Sequence, residues 1–402
     1  MKSHTAFTGF LGKRMHLGIS GSIAAYKGLD LLRMFKDSGA DVGVTLTSSA
    51  QKFITPLSFE ALGASPVFST MYPVGDDVFG HLMPGEACHA FVIAPASATT
   101  IARLANGLAD DMLSCQALAF PEKLVIAPAM NPRMWHNAAT QENIDRLSCR
   151  GHVIIEPGCG RTACLEEGQG RLAPVDDIYL HGLRALSPQD MTGQTVMVTL
   201  GPTREKWDGV RFWSNPSSGT MGASFAIAAW LRGAEVHAVC GAGTPWLPSV
   251  ITRHDVTSAA DMFEAADSLW NDMSIGVFTA AVADYSPVPF GDSKFKKGGD
   301  DLTVSFTRTV DILKTLGTKK CDDQRVIGFA AETDNLRENM KKKLTAKNAD
   351  IIVGNNVAKS GSGFGSATNE VCVVDRNGRQ EDWPVAPKPE VAWRVFDWLL
   401  QL

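Results

Sequence analysis

Residues 195–222 read TVMVTLGPTREKWDGVRFWSNPSSGTMG. A β-branched run, Thr195–Thr199, meets a glycine, a Pro-Thr-Arg segment and a Ser/Asn/Gly cluster. A helical pattern then runs from Met221 to Leu231. Strand, phosphate-facing loop and helix N-terminus follow in that order where an α/β domain begins. A similar start, MHLGISGSIAAYK, lies at 15–27. Two starts predict an α/β chain with two Rossmann-like, nucleotide-type folds. The length of 402 residues agrees, being more than one ordinary core organises. The expected division is a short extension at 1–13, a first domain at 14–190 and a second at 191–402.

Hydrophobic residues at 45% and charged residues at 20% exclude a disordered chain. The formal net charge of −5 gives no electrostatic ground for nucleic-acid binding. No apolar run reaches the roughly 18–20 residues that cross a bilayer, so no membrane partner is expected. The opening MKSHTAFTGFLGKR has neither a long apolar core nor a small-residue cleavage site, and reads as an extension rather than a signal peptide. None of the eight cysteines forms a CxxC pair, which argues against zinc and dithiol motifs. Dispersed cysteines fit a reducing, cytoplasmic setting.

In the first domain, strands are expected at Met15–Ser20, Val42–Leu46, Phe91–Ala94 and Leu124–Ala127, with a helix from Ile23 to about Asp37. The strands end in small hydroxyl-bearing or turn residues: Ser20-Gly21-Ser22, Thr47-Ser48-Ser49, Ser97 and PAMN at 128–131. In an open parallel sheet the ligand sits beyond the carboxyl ends of the strands, so these hydroxyls would line one crevice. Without a GxGxxG, a mononucleotide such as FMN suits it better than a dinucleotide. Each hydroxyl taken singly is equally a helix cap. Three residues carry candidate chemistry. His81 lies outside any strand pattern, and its ordinary reading is a surface histidine. Asn131 sits in PAMNPRMW, where Pro128 and Pro132 fix the loop; its ordinary reading is a turn residue. Cys164 falls in GCGRTACLEEGQGR, 158–171, too poor in apolar residues for core and read as a mobile, loop-like flap over a site.

In the second domain, helices are expected at about 220–232, 258–270, 333–346 and 389–401. Strands are expected at 235–240, 275–279, 325–330, 350–353 and 371–375. Lys294, Lys296 and Lys297 share a glycine-ended loop, and Lys343 and Lys347 are four apart on one helix face. Point charges on flexible stems suit a triphosphate, although a lysine run is more often a solvated face. The absence of GxxxxGK[ST] rules out a P-loop.

GISGSIAAYK, PAMNPRMW, GPTRE with SNPSSGTMG, AAVADY with KFKK, and GFAAET occur here in one order. The set resembles the bifunctional bacterial phosphopantothenoylcysteine decarboxylase / phosphopantothenate–cysteine ligase family of coenzyme A biosynthesis, over about residues 14–400. The resemblance implies an N-terminal flavodoxin-like FMN-binding flavoprotein fold and a C-terminal nucleotide-binding ligase fold. It implies that Ser20, Gly21, Ser22, Thr47 and Ser97 contact FMN. His81 matches the family histidine, Asn131 a contact to the substrate carboxylate, and Cys164 the proton donor. In the second half, Asn215 matches the residue tied to the acyl-nucleotide intermediate. Phe278, Thr279, Ala280, Asp284, Lys294, Val310, Asp311, Ile312, Leu313, Phe329, Lys343 and Lys347 match nucleotide contacts. The implied substrates are 4'-phosphopantothenate, L-cysteine and CTP with Mg2+, whose ligands the sequence leaves unknown. Trimeric contacts in the first half and dimeric contacts in the second are implied, giving a homo-oligomer up to a dodecamer. The chain departs from the family at the flap glycine, here Leu165. It also departs at His-Leu-Met-Pro (81–84), Ala-Cys-His (87–89), Thr-Val-Asp-Ile (309–312) and Ala367.

Overall fold

A computed structural model describes residues 2–72, 79–296, 301–332, 334–356 and 365–402. Lys297, Gly298, Gly299 and Thr333 lie outside the described residues. The chain divides into two compact units, residues 7–187 and residues 2–6 with 188–402.

In the first unit, β1 (Arg14–Ile19), β2 (Asp41–Leu46), β3 (Val67–Phe68), β4 (Ala90–Ala96), β5 (Leu124–Pro128) and β6 (Val153–Ile154) form one parallel sheet. Its order is β3-β2-β1-β4-β5-β6. β4 is buried along its whole length, as a parallel strand covered on both faces should be. This 3-2-1-4-5-6 order is that of a doubly wound, Rossmann-like sheet. The two-residue β3 pairs outside β2, and β4 takes the far side of β1. The helix expected from Ile23 begins as a 3-10 turn, Ile23–Tyr26, and becomes α-helical over Lys27–Asp37. Phe7 and Phe10 of the expected extension are buried, and the Phe10 N–H donates to the Ser38 carbonyl at 3.2 Å.

The segment expected as a loop-like flap is an antiparallel hairpin, β7 (Gly158–Arg161) and β8 (Glu167–Arg171). Glycine decides its docking. A Cβ on Gly170, whose φ is +151°, would lie 2.4 Å from the Met130 carbonyl oxygen. Without one, the Met130 N–H reaches the Gly170 carbonyl at 2.9 Å. The hairpin is thereby stitched to the PAMN loop at the end of β5.

The second unit contains β9 (Thr195–Leu200), β10 (Arg204–Lys206), β11 (Phe212–Ser214), β12 (Glu235–Cys240), β13 (Thr252–Asp255), β14 (Ile275–Phe278), β15 (Tyr285–Pro287), β16 (Phe306–Arg308), β17 (Arg325–Glu332), β18 (Ile351–Asn356), β19 (Thr368–Asp375) and β20 (Gln380–Pro387). Eight of these make a sheet ordered β13-β12-β9-β14-β17-β18-β19-β20. It is parallel from β13 to β18 and antiparallel through β19 and β20. The connection reverses direction between β9 and β14, so a crevice opens at their carboxyl ends. Helix Thr220–Leu231 is apolar on every side because it lies between the sheet and helix Lys388–Leu399. The Phe225 and Phe396 rings meet there, with centroids 5.4 Å apart.

Candidate functional site

In the first unit a cavity of about 530 Å³ opens at the carboxyl ends of β1, β4 and β5. Two helical starts face it. Ser22 Oγ accepts from the Ala24 N–H at 3.3 Å, and Ser97 Oγ accepts from the Thr100 N–H at 3.3 Å. Gly21 is part of the wall, and a Cβ there would meet Ser49 Cβ at 2.4 Å. Ile23, Tyr26, Phe53 and Met134 line the same cavity with exposed apolar surface. Lys27, Arg161 and Arg171 add cationic groups. Helical starts, a close-packed glycine turn and broad apolar walls are what a flat ring carrying a phosphate needs. The residues present therefore fit FMN.

Of the expected flavin contacts, Gly21, Ser22 and Ser97 line this cavity, while Ser20 and Thr47 are not in its wall among the described residues. The Ser20 hydroxyl is committed elsewhere. It donates to the Pro95 carbonyl at 2.8 Å and accepts from the Ser97 N–H at 2.7 Å, tying the end of β1 to that of β4. Thr47 Oγ1 accepts from the Ala50 N–H at 3.2 Å as a local cap.

Asn131 and Cys164 come together at the mouth. Asn131 Nδ2 donates to Cys164 Sγ at 3.0 Å and to Glu166 Oε2 at 2.8 Å, while its Oδ1 accepts from the Arg133 N–H at 2.8 Å. Thr162 Oγ1 lies 3.0 Å from the same sulfur. Bonds to Thr162, Asn131 and the Glu166 backbone hold the Cys164 thiol below the usual thiol range. The Glu166 carboxyl is held below its ordinary range by bonding to Arg133 and Asn131. Sequence reading missed Thr162, Glu166 and Arg133. Their signal was spacing, since Thr162 and Glu166 stand two residues either side of Cys164 and Arg133 two beyond Asn131. Leu165 takes φ +67°, the left-handed turn position that a glycine fills without strain.

His81 is not in the cavity wall among the described residues; its ring lies against Phe79, with centroids 6.4 Å apart. A buried polar chain anchors its neighbour. His16 Nε2 lies 2.8 Å from Thr45 Oγ1, Thr45 donates to Gln116 Oε1 at 2.5 Å, and Gln116 Nε2 donates to the Gly80 carbonyl at 2.9 Å.

In the second unit, Asn215 and Asp284 share a cavity of about 390 Å³ with Trp213, Tyr285 and Phe306. Asn215 Nδ2 donates to the Ala281 and Val282 carbonyls, each at 3.2 Å. Thr279 and Phe329 line a different, smaller cavity beside Ser217–Gly222. Phe278 and Ile312 point into the core, so only their backbone groups are available to a ligand. Ala280 and Leu313 pack against that core, and Val310 is exposed. Lys294 is exposed on a segment pinned by the Trp207, Phe290 and Phe295 rings.

The two helix lysines are not free charges. Lys343 Nζ pairs with Glu332 Oε1 at 2.7 Å, and Lys347 pairs with Asp311. Among the described residues no group of three or more His, Cys, Asp or Glu is placed to hold a metal ion. No helix among them is long and apolar enough to cross a membrane.

A family model described as "Flavoprotein" matches residues 9–183, and one described as "DNA/pantothenate metabolism flavoprotein C-terminal domain" matches 191–402. The "Coenzyme A biosynthesis bifunctional protein CoaBC" of Bacillus subtilis (strain 168) is 39% identical over 385 residues, 94% of this chain and 95% of that one. Its counterpart in Escherichia coli (strain K12) is 39% identical over 372 residues, 91% and 92% of the two chains. A solved C-terminal domain of a protein of that name is 39% identical, covers 52% of this chain and 96% of its own, and superposes with a TM-score of 0.45. With two family models end to end and relatives this similar over nearly its whole length, the chain belongs to the CoaBC family of bifunctional coenzyme A biosynthesis proteins.

Proposed function

We propose that the second unit joins 4'-phosphopantothenate to L-cysteine at the expense of CTP, and that the first decarboxylates the product to 4'-phosphopantetheine with FMN. The observation that carries this reading is the Asn131–Cys164 contact at the mouth of the cavity lined by Gly21, Ser22 and Ser97. Bound FMN supplies the oxidant for the cysteine thiol and so the electron sink that carbon dioxide loss requires. Asn131, with Arg133 beside it, receives the substrate carboxylate. Cys164 gives up the proton, a role helped by a thiol held below its usual range. The hairpin β7–β8 keeps that thiol over the reacting carbon.

In the second unit the 3-2-1-4-5-6 order from β13 to β18 supports a Rossmann-like, nucleotide-binding ligase fold. A carboxylate is a poor electrophile, so it first attacks CTP and releases pyrophosphate; the cysteine amine then displaces CMP. Asn215 orients the acyl-cytidylate beside Asp284. Lys294 offsets the charge on the triphosphate, and Mg2+ bound with the nucleotide would supply further charge neutralisation there. Lys343 and Lys347 reach the nucleotide by exchanging Glu332 and Asp311 for it.

We place the protein in the cytoplasm as a homo-oligomer, with a second copy bringing its His81 to the flavin cavity. Purified protein given phosphopantothenate, cysteine and CTP should release pyrophosphate and carbon dioxide and form phosphopantetheine. Asn215→Asp should consume CTP but form amide poorly, and Cys164→Ser should halt after carbon dioxide loss. A colourless protein unable to take up FMN, or one indifferent to CTP, would remove the corresponding half.

A further inference from the structure

One buried carboxylate organises the turn that joins β10 to β11. Asp208 is 1% exposed, and its two oxygens serve different parts of the chain. Oδ1 accepts from the Val210 N–H at 2.7 Å and the Arg211 N–H at 2.6 Å, which closes the turn on itself. Oδ2 accepts from the Phe295 N–H at 3.0 Å and from the Arg211 guanidinium at 3.2 Å. Burial works against a charge here, yet the bonds from Val210, Phe295 and Arg211 hold the carboxyl below the usual carboxylate range. An aspartate that only capped its own turn would need one oxygen. The second goes to a residue 87 positions away, the neighbour of Lys294.

The backbone of Phe295 is held on both sides, because its carbonyl accepts from the same Arg211 guanidinium at 3.5 Å. The Phe290 N–H donates to the Trp207 carbonyl at 2.7 Å, so the turn and the Lys294 segment meet at two places. Between them the approach is backbone on backbone. A Cβ on Gly209 would lie 2.1 Å from the Asp292 carbonyl oxygen. The Lys294 side chain is exposed, so its position follows from that of the backbone beneath it. The other end of the turn runs through β11 to Asn215.

We infer that Asp208 is a positioning residue of the ligase half: through the Phe295 N–H it holds Lys294 where the charge of the triphosphate is met. This rests on the ligase reading above, in which Lys294 offsets that charge.

The test uses full-length protein and two variants that reach the segment by different routes. Asp208→Asn keeps one oxygen for the turn but sets an NH2 against the Phe295 N–H and the guanidinium, donor against donor. Gly209→Ala leaves the carboxylate alone and displaces the Asp292 carbonyl, and it carries the same measurements if Asp208→Asn does not fold. Trypsin should cut after Lys294 about tenfold faster in both variants than in wild type, because the held segment opens more often. Pyrophosphate release from CTP should fall about ten- to hundredfold, the size expected for loss of a bond to a charged group, with KM for cysteine within about twofold of wild type. Lys294→Ala should slow the same step, and adding Asp208→Asn to it should slow it no further. Losses that multiply in the double variant, cleavage after Lys294 at the wild-type rate, or pyrophosphate release at the wild-type rate in both variants would each overturn the role while leaving the ligase reading intact. A wild type that releases no pyrophosphate overturns the ligase reading and this role with it. That failure is told apart by the cleavage comparison, which needs no substrate.

Discussion

His16 lies wholly buried in β1, and burial holds its imidazole down from 6.5 to about 3. Its Nδ1 has no hydrogen-bond partner, and the Phe91 ring meets it edge-on at 4.8 Å. A proton there would create a cation without a counter-charge. The unfolded chain accepts that proton below about pH 6.5, whereas the folded chain refuses it until about 3. The folded pKa of this base is depressed, so its contribution is intact above pH 6.5 and is lost as pH falls through that window. Linkage sets the slope at up to about 1.4 kcal/mol per pH unit, or about 1.3 kcal/mol between pH 7 and 5.5. His181, which burial holds at about 4, adds a parallel loss in the same unit. The decisive comparison is therefore wild type against His16→Leu, with urea unfolding of the first unit followed by hydrogen exchange of β1 and β4 peptides. Wild type should lose about 1.3 kcal/mol more than the variant over that pH range. Equal losses would mean that His16 is charged or solvated in the folded protein, and the buried chain to Gly80 would have to be redrawn.

Asn131→Leu should move the Cys164 thiol back towards its ordinary range, because one of its bonded donors is lost; the pH profile of alkylation reads this, and an unmoved profile refutes the contact. Glu166→Ala should lower KM for phosphopantothenoylcysteine, since the Glu166 carboxylate occupies the Asn131 and Arg133 donors that a substrate carboxylate would use. A raised KM would instead make Glu166 part of the binding surface. Gly222→Ala should cost about 1–3 kcal/mol in urea unfolding, because its Cβ would lie 2.3 Å from Thr279 Oγ1 and 2.4 Å from Leu200 Cβ. Stability equal to wild type would mean that helix Thr220–Leu231 is looser on β9 than its packing indicates.

The two strand–loop–helix starts were legible because each is a purely local sentence: a β-branched or apolar run, a glycine, a helix pattern. The carboxyl-end crevice was legible for the same reason, since strand ends are marked by composition. What failed depended on partners distant in the chain. GCGRTACLEEGQGR has no apolar alternation, so its pairing could not be read; it forms a hairpin because Gly170 docks on the Met130 carbonyl. The edge strand β20, QEDWPVAP, carries charge where a core strand would carry Val or Ile. The hydroxyl of Ser20 has the same residue type as that of Ser22, but only tertiary structure turns it to Pro95. Lys343 and Lys347 looked like free cations because Glu332 and Asp311 lie 11 and 36 residues away.

The two asparagines at the centre of the proposed chemistry share a property that bears on how each site binds. Asn131 has already given its amide hydrogens to Cys164 and Glu166, and Asn215 to the Ala281 and Val282 carbonyls. A ligand meeting either amide exchanges one hydrogen bond for another, and such an exchange contributes little net free energy. Affinity has to come from groups that are unsatisfied before the ligand arrives. In the first unit this is chiefly the apolar surface of Ile23, Tyr26, Phe53 and Met134. In the second they are the N–H groups ahead of Ala223, which no side chain caps. The asparagines are left with orientation, which acts on the reacting atoms rather than on the encounter. Substitution of Asn131 or Asn215 by alanine should therefore lower kcat while leaving KM within a few-fold. Alanine variants that raised KM while kcat held would show that binding energy at these sites is drawn from the amides after all.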